Sequence, residues 1–291
     1  MTALLQRLRW HAMRTPVAPG LKTAARLMKR PALKRRRHLA EPLLSPPSAE
    51  AQAILDRGYA MVTDALDPAS LSALHAAAMP RLAAARGGAA NPAAGKGFWS
   101  RLLDEDVAAG RLTTADPVVA FALQPAVLGI VAQVYGELPQ LDSVLLTWSR
   151  YDNKPLSVSQ LWHRDFDDTR VLKLFVYLTN VDGSDDGPFT FIDGALSDRA
   201  RYSVKSHRTD AMLSTRLDPA QSTAITGPAL TAFMVETSRC LHMGSRVAAG
   251  HERLLYTATF ISTPRLYPEP RPQIRLVGNE DEVVRCVLTP A

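Results

Sequence analysis

VLKLFVYLTNVDGSDDGPFTFI, residues 171–192, reads as strand, turn, strand. Val171, Leu172, Phe175, Val176 and Tyr177 are the β-branched and large apolar side chains that suit a pleated, buried surface. The turn cluster Asp182-Gly183-Ser184-Asp185-Asp186-Gly187 follows, because Gly tolerates positive φ and Asp bonds nearby backbone. Pro188 to Ile192 then resumes the strand pattern. On either side lie further strand-like runs: Ser143 to Tyr151 (SVLLTWSRY), Leu230 to Thr237 (LTAFMVET) and Arg253 to Ser262 (RLLYTATFIS). The expected fold class is therefore mainly β with N-terminal helices. A run of strands after a run of helices predicts one antiparallel β domain under helical cover. Closing it as a jelly roll would remove the exposed edges.

Upstream, Ala49 to Arg57 predicts a helix and Gly58 to Val62 a short strand. Asp67-Pro68 is an N-cap and N1 pair for a helix over Ala69 to Ala85. Arg86 to Gly97 (RGGAANPAAGKG) predicts a mobile loop. Pro117 to Tyr135 carries no charge and approaches the ~20 residues of a membrane span. Pro125 and Gln133 argue instead for two short core elements, the second ending at Gly136. Ala195 to Gly227 is long and polar, and such a loop is either functional or disordered.

The 291 residues carry 34 Lys and Arg against 28 Asp and Glu. Residues 1–40 hold eleven of the basic groups and no acid, which leaves 23 basic and 28 acidic groups elsewhere, a body of net −5. Positive charge thus belongs to an appendage, and specific nucleic-acid binding is not expected of the body. Leu4, Leu5, Leu8 and Ala12 recur at helical spacing among arginines, so a weak contact of residues 1–40 with an anionic membrane surface is one reading. An organelle transit peptide and a merely solvated extension are the others. The expected division is a flexible basic extension over 1–46, a catalytic domain over 47–270 and a C-terminal extension over 271–291. Two cysteines, Cys240 and Cys286, are too few for a disulfide framework or a Cys-based zinc site. With no secretory h-region, a reducing, cytoplasmic location is expected, and any metal must use His and carboxylate ligands.

Of seven histidines, His163 stands out in Gln160-Leu161-Trp162-His163-Arg164-Asp165. In an extended segment residues i and i+2 share a face, so His163 and Asp165 present an imidazole and a carboxylate together. One further histidine would complete a two-His, one-carboxylate facial triad, which leaves open positions on Fe(II) for oxygen chemistry. His242, in Cys240-Leu241-His242 after a strand, is the candidate. Arg253 lies eleven residues further on and could clasp a carboxylate in a bidentate pair. His207 lies in the long polar span, within reach of a substrate there.

These residues resemble the phytanoyl-CoA dioxygenase family of Fe(II)- and 2-oxoglutarate-dependent oxygenases. The likeness runs over roughly residues 50–265 and rests on Trp162-His163-Arg164-Asp165, the strand Leu172–Leu178, Gly187-Pro188, Ile192 to Gly194, His242 and Arg253. It implies a double-stranded β-helix of cupin type, with His163, Asp165 and His242 as iron ligands and Arg253 holding the distal carboxylate of 2-oxoglutarate. Gln160 matches a position that contacts the co-substrate in some members. The implied activity is hydroxylation of a small-molecule or lipid-like substrate, with O2 consumed and succinate and CO2 released. An intact Asp165 favours hydroxylation, since halogenating members have a small residue there. The chain departs from the family at Asp193-Gly194-Ala195-Leu196, at Gly244 and at Phe189, which replace a Pro-Gly-Ser-His stretch, a Ser and a co-substrate-binding Thr. Two other readings stay open: a non-oxidative metal-dependent β-barrel enzyme, and a non-catalytic binding protein targeted by its basic tail.

Overall fold

The computed structural model describes residues 15, 17–89, 92–93, 96–200, 207–215, 217–266 and 274–290. Ten strands are β1 (Tyr59–Met61), β2 (Pro92–Ala93), β3 (Lys96–Arg101), β4 (Gln140–Arg150), β5 (Val171–Tyr177), β6 (Phe189–Ile192), β7 (Ser222–Ile225), β8 (Ala232–Glu236), β9 (His242–Met243) and β10 (Glu252–Ile261). Seven of them form one sheet in the order β1-β8-β5-β10-β4-β3-β2, and a smaller sheet runs β7-β6-β9. All of these pairings are antiparallel.

The two-residue alternation of β5 and β10 sorts the large sheet into two faces. Leu172, Leu174 and Val176, with Leu254, Tyr256, Ala258 and Phe260, enter the larger apolar core. That core is closed by helices α3 (Ala49–Arg57), α4 (Pro68–Ala84), α5 (Pro117–Leu123) and α6 (Pro125–Tyr135). On the opposite face Phe175, Tyr177, Phe233 and Leu255 meet Phe189, Phe191 and Ile225 of the smaller sheet. The result is helices on a sheet on a sheet, the jelly-roll arrangement expected from the strand run. The site lies between the two sheets.

Local signals set the helix ends. Ser48 Oγ accepts from Ala51 N at the start of α3, and Asp67 accepts from Ala69 N and Ser70 N at the start of α4. Gly58 closes α3 at φ 87, where an added Cβ would also meet Cys240 Sγ at 2.5 Å, so only glycine fits. The uncharged stretch from Pro117 divides into α5 and α6, bent by 46°, and no single helix among the described residues is long and apolar enough to cross a membrane.

Three stretches make contacts that local patterning does not predict. Within residues 1–46, the described part packs against the body. Helices α1 (Val17–Met28) and α2 (Arg30–Ala40) pack on the body. Lys22 Nζ pairs with Asp168 Oδ1 at 2.6 Å, and Arg26 grips both Glu137 oxygens at 2.7 Å. Arg36 is buried and donates to the carbonyls of Leu138, Pro139 and Cys286. The acidic body and basic tail are thus partners, which local patterning could not show. The proposed helix over Leu4 to Ala12 lies outside the described residues. Likewise, residues 271–291 include α7 (Glu282–Leu288), whose Val287 is fully buried in the main core. Finally, the spans Arg86 to Gly97 and Ala195 to Gly227 are not irregular throughout. They supply part of the β2–β3 hairpin and strand β7, both too short or too polar for a periodic signal.

The Lys22–Asp168 pair is almost fully enclosed, with side-chain exposures of 7% and 0%. Asp168→Ala would strand the ammonium and is expected to cost about 3 kcal/mol, read by chemical denaturation. Adding Lys22→Met should recover most of that loss, because no unpaired charge then remains buried.

Candidate metal centre

His163 and His242 are brought together by main chain. His163 N donates to His242 O and His242 N to His163 O, both at 2.9 Å. This bridge ties the segment after β4 to strand β9. Two residues on, Asp165 N donates to Thr237 O at 3.0 Å, so the His-x-Asp spacing delivers both side chains to one face. His163 Nε2 is 3.9 Å from Asp165 Oδ1, and His242 Nε2 is 3.8 Å from Asp165 Oδ2. One donor atom from each of the three lies within 4.8 Å of the others.

Each ring is fixed by its own backbone. His163 Nδ1 donates to Leu161 O at 2.8 Å, and His242 Nδ1 to Cys240 O at 3.0 Å. A carbonyl can only accept, so the proton sits on Nδ1 and the Nε2 lone pair faces the third ligand. Burial, reinforced by the neighbouring His242, pushes the His163 imidazole from its usual 6.5 down to about 3, and burial lowers His242 as well. For Asp165, burial acts upward but is outweighed by Lys173 and the two histidines, which hold the carboxyl well below its ordinary range. The donor set is two neutral nitrogens and one carboxylate oxygen on one side of a cavity, which fits Fe(II) with positions left open.

Lys173 is a residue whose placement strand parity alone leaves undecided. Its Nζ lies 2.7 Å from Asp165 Oδ2. Strand parity makes Lys173, Phe175 and Tyr177 share a face, but only the second sheet shows that this face is interior. Counting in twos from Arg253 would likewise have found Leu255, Thr257 and Thr259, which line the same cavity. His207 also comes close, its ring centroid 5.2 Å from that of His163.

The cavity holds about 400 Å³ and reaches from the triad to Arg253. Arg253 is 2% exposed. It donates to Gly187 O through Nη1 and to Ser245 Oγ at 2.8 Å through Nη2, leaving Nε without a protein partner among the described residues. Gly244 has no side chain above this guanidinium, and a Cβ there would stand 3.7 Å from both Nη atoms. Phe189 stacks on His242 with centroids 5.3 Å apart, so an apolar ring stands where certain relatives of the resembled family carry threonine. Gln160, expected as a co-substrate contact, is anchored within the fold. Its Oε1 accepts from Ser157 N and its Nε2 donates to Ser245 O, so each end of the amide makes one bond that braces the loop holding Arg253. Val158 and Ser245, at φ 44 and 61, show that this bracing overrides local preference.

No protein-family model and no curated protein sequence matches the chain. Solved structures do. EctD from S. alaskensis, crystallised with 2-oxoglutarate and 5-hydroxyectoine, is similar with a TM-score of 0.58 and 18% identity, over 82% of this chain and 87% of that one. The non-heme α-ketoglutarate-dependent epimerase SnoN of nogalamycin biosynthesis follows at 0.51 and 18%, over 79% and 95%. The carbocyclase SnoK of the same biosynthesis gives 0.53 and 14%, over 85% and 93%. At these identities the likeness establishes the fold, the cupin-type jelly roll on which those enzymes are built.

The histidine environment predicts a pH response of the metal-free protein. Native His163 refuses a proton that the unfolded chain takes up near 6.5. Stability should therefore be full above that pH and fall progressively toward about 3. His163→Gln should flatten the decline between about pH 6.5 and 4.5, the window above most carboxylate titration. Urea titrations at several pH values would measure it, and an equal slope in both proteins would contradict the assignment.

Proposed function

We propose that the chain is an Fe(II)- and 2-oxoglutarate-dependent oxygenase of the phytanoyl-CoA dioxygenase type, hydroxylating a small-molecule or lipid-like substrate. One observation carries this reading: two histidine nitrogens and a carboxylate converge on a cavity that also reaches a buried arginine. EctD and the Sno enzymes, named for 2-oxoglutarate or α-ketoglutarate in their structures, support it by sharing the fold.

His163, Asp165 and His242 would hold the iron, and Arg253 the distal carboxylate of 2-oxoglutarate. When bound, this pair supplies the oxidising power for C–H hydroxylation, using O2 and releasing succinate and CO2. The chain's own residues do the rest. Nδ1–H bonds to backbone carbonyls keep both Nε2 atoms available without any proton having to leave. Ser245 and Gly187 fix the guanidinium plane before a carboxylate arrives, so little side-chain entropy remains to be lost on binding. Phe175 and Phe189 give the cavity an apolar wall that limits water, strengthening the charge pairing within. Lys173 pairs with Asp165 Oδ2 at 2.7 Å, steadying the carboxylate that would take the iron. Thr257 and Thr259 provide a polar wall for the substrate itself. With a carboxylate at 165, no ligand position is vacated for chloride, and hydroxylation is the outcome we infer.

Anaerobic addition of Fe(II) and 2-oxoglutarate should produce the weak visible charge-transfer band of the chelated complex. His163→Ala should abolish it, and a band that survives would count against the triad. Substrate-independent succinate formation should require O2 and stop with a chelator, whereas turnover persisting without O2 would favour a non-oxidative metal enzyme. Arg253→Met should weaken 2-oxoglutarate binding by about 2 kcal/mol, roughly thirtyfold, with Fe(II) affinity little changed.

A further inference from the structure

Helix α1 is amphipathic the wrong way round for a helix packed on a protein. Its charged side chains, Lys22 and Arg26, point inward to Asp168 and Glu137. Its outward residues, Val17, Pro19, Gly20, Leu21, Thr23, Ala24, Leu27 and Met28, carry no charge at all. Val17 is 59% exposed, Leu21 44%, Leu27 61% and Met28 78%, which places four large apolar side chains on one face of a twelve-residue helix. The other exposed large apolar residues are Leu55, Met61, Tyr151, Leu156 and the adjacent pair Leu276 and Val277, and none of them gathers four such side chains on one helix face. An apolar face left uncovered by the described residues marks an interaction surface.

Charge identifies the partner. Lys29, Arg30 and Lys34 follow the apolar face directly, are exposed, and form no ion pair among the described residues. Between α1 and α2 a cleft of about 780 Å³ is lined by Leu27, Arg30, Lys34 and Arg37. Apolar side chains bordered by cations suit a surface with an acyl interior and anionic headgroups. No acidic residue lies within 1–40 to oppose such a surface. We propose that the outer face of α1, together with Lys29, Arg30 and Lys34, docks the protein peripherally on an anionic membrane. The inward ion pairs hold the helix rigidly, so its apolar face stays presented instead of turning into the core. Asp168 follows Asp165 by three residues, which fastens the docking helix to the segment carrying the candidate metal ligand. The proposal stands independently of the oxygenase reading.

Vesicle co-sedimentation of the full chain tests it, comparing vesicles rich in phosphatidylglycerol with pure phosphatidylcholine. Wild type should bind the anionic vesicles at least about tenfold more tightly and lose that binding as salt is raised. Two triple variants, Leu21→Ser/Leu27→Ser/Met28→Ser and Lys29→Glu/Arg30→Glu/Lys34→Glu, should each weaken it by about tenfold or more. All six side chains are exposed, and an unchanged thermal transition would show that the variants remain folded. The proposal is overturned if wild type does not sediment, if it binds both vesicles equally, or if the apolar variant binds as wild type does. A wild-type dimer in solution that the apolar variant dissociates would also overturn it, by showing a second copy on this face.

Discussion

Two backbone hydrogen bonds between His163 and His242 are the constraint on which the site depends. They pair the segment after β4 with a strand only two residues long, and bonds from Asp165 N to Thr237 O and from Gly244 N to Ser159 O hold the same two segments on either side. Once that bridge forms, the extended backbone sets the direction of both imidazoles, and the carbonyls two residues back fix their tautomers. Asp165 then follows from its spacing. The metal geometry is therefore stored mainly in main-chain contacts, which cost no side-chain entropy when a ligand arrives.

Around this bridge the charges are balanced in a way that burial makes necessary. A carboxylate between two sheets would be costly alone, and Lys173 compensates it at 2.7 Å while both histidines stay neutral. At the other end of the cavity Arg253 has no acidic partner among the described residues, and meets a carbonyl, a hydroxyl and the face of Tyr177. A buried guanidinium satisfied by dipoles alone is poised for an anion. The tense backbone of Val158 and Ser245 and the amide of Gln160 are spent on keeping that arginine in place.

The same principle operates at larger scale. Net positive charge in the first forty residues and net negative charge in the body first suggest an appendage and a domain. In the fold, part of that difference is consumed by Lys22, Arg26 and Arg36, which are drawn inward by Asp168, Glu137 and backbone carbonyls. Drawing the charges in turns the apolar side of α1 out. The helix thus adds to the core's stability through polar contacts and leaves its hydrophobic face for something else.

Much of this was legible along the chain. Strand alternation, the caps at Ser48 and Asp67, the glycine stop at Gly58 and the His-x-Asp spacing are consequences of local backbone geometry, which each stretch obeys without reference to the rest. His163, Asp165, His242 and Arg253 stood out as candidates from that spacing and from the family resemblance, and the fold brings all four to one cavity. Other placements were decided only by tertiary contact. Parity showed that Lys173 and Phe175 share a face, but the second sheet made that face the inside. Gln160 matched a co-substrate position in sequence, whereas its bonds to Ser157 and Ser245 follow only from the fold. The orientation of α1 depended on acids far away in sequence. Local rules fix which side chains point the same way, whereas what they point at is set by packing between segments that the chain order does not bring together.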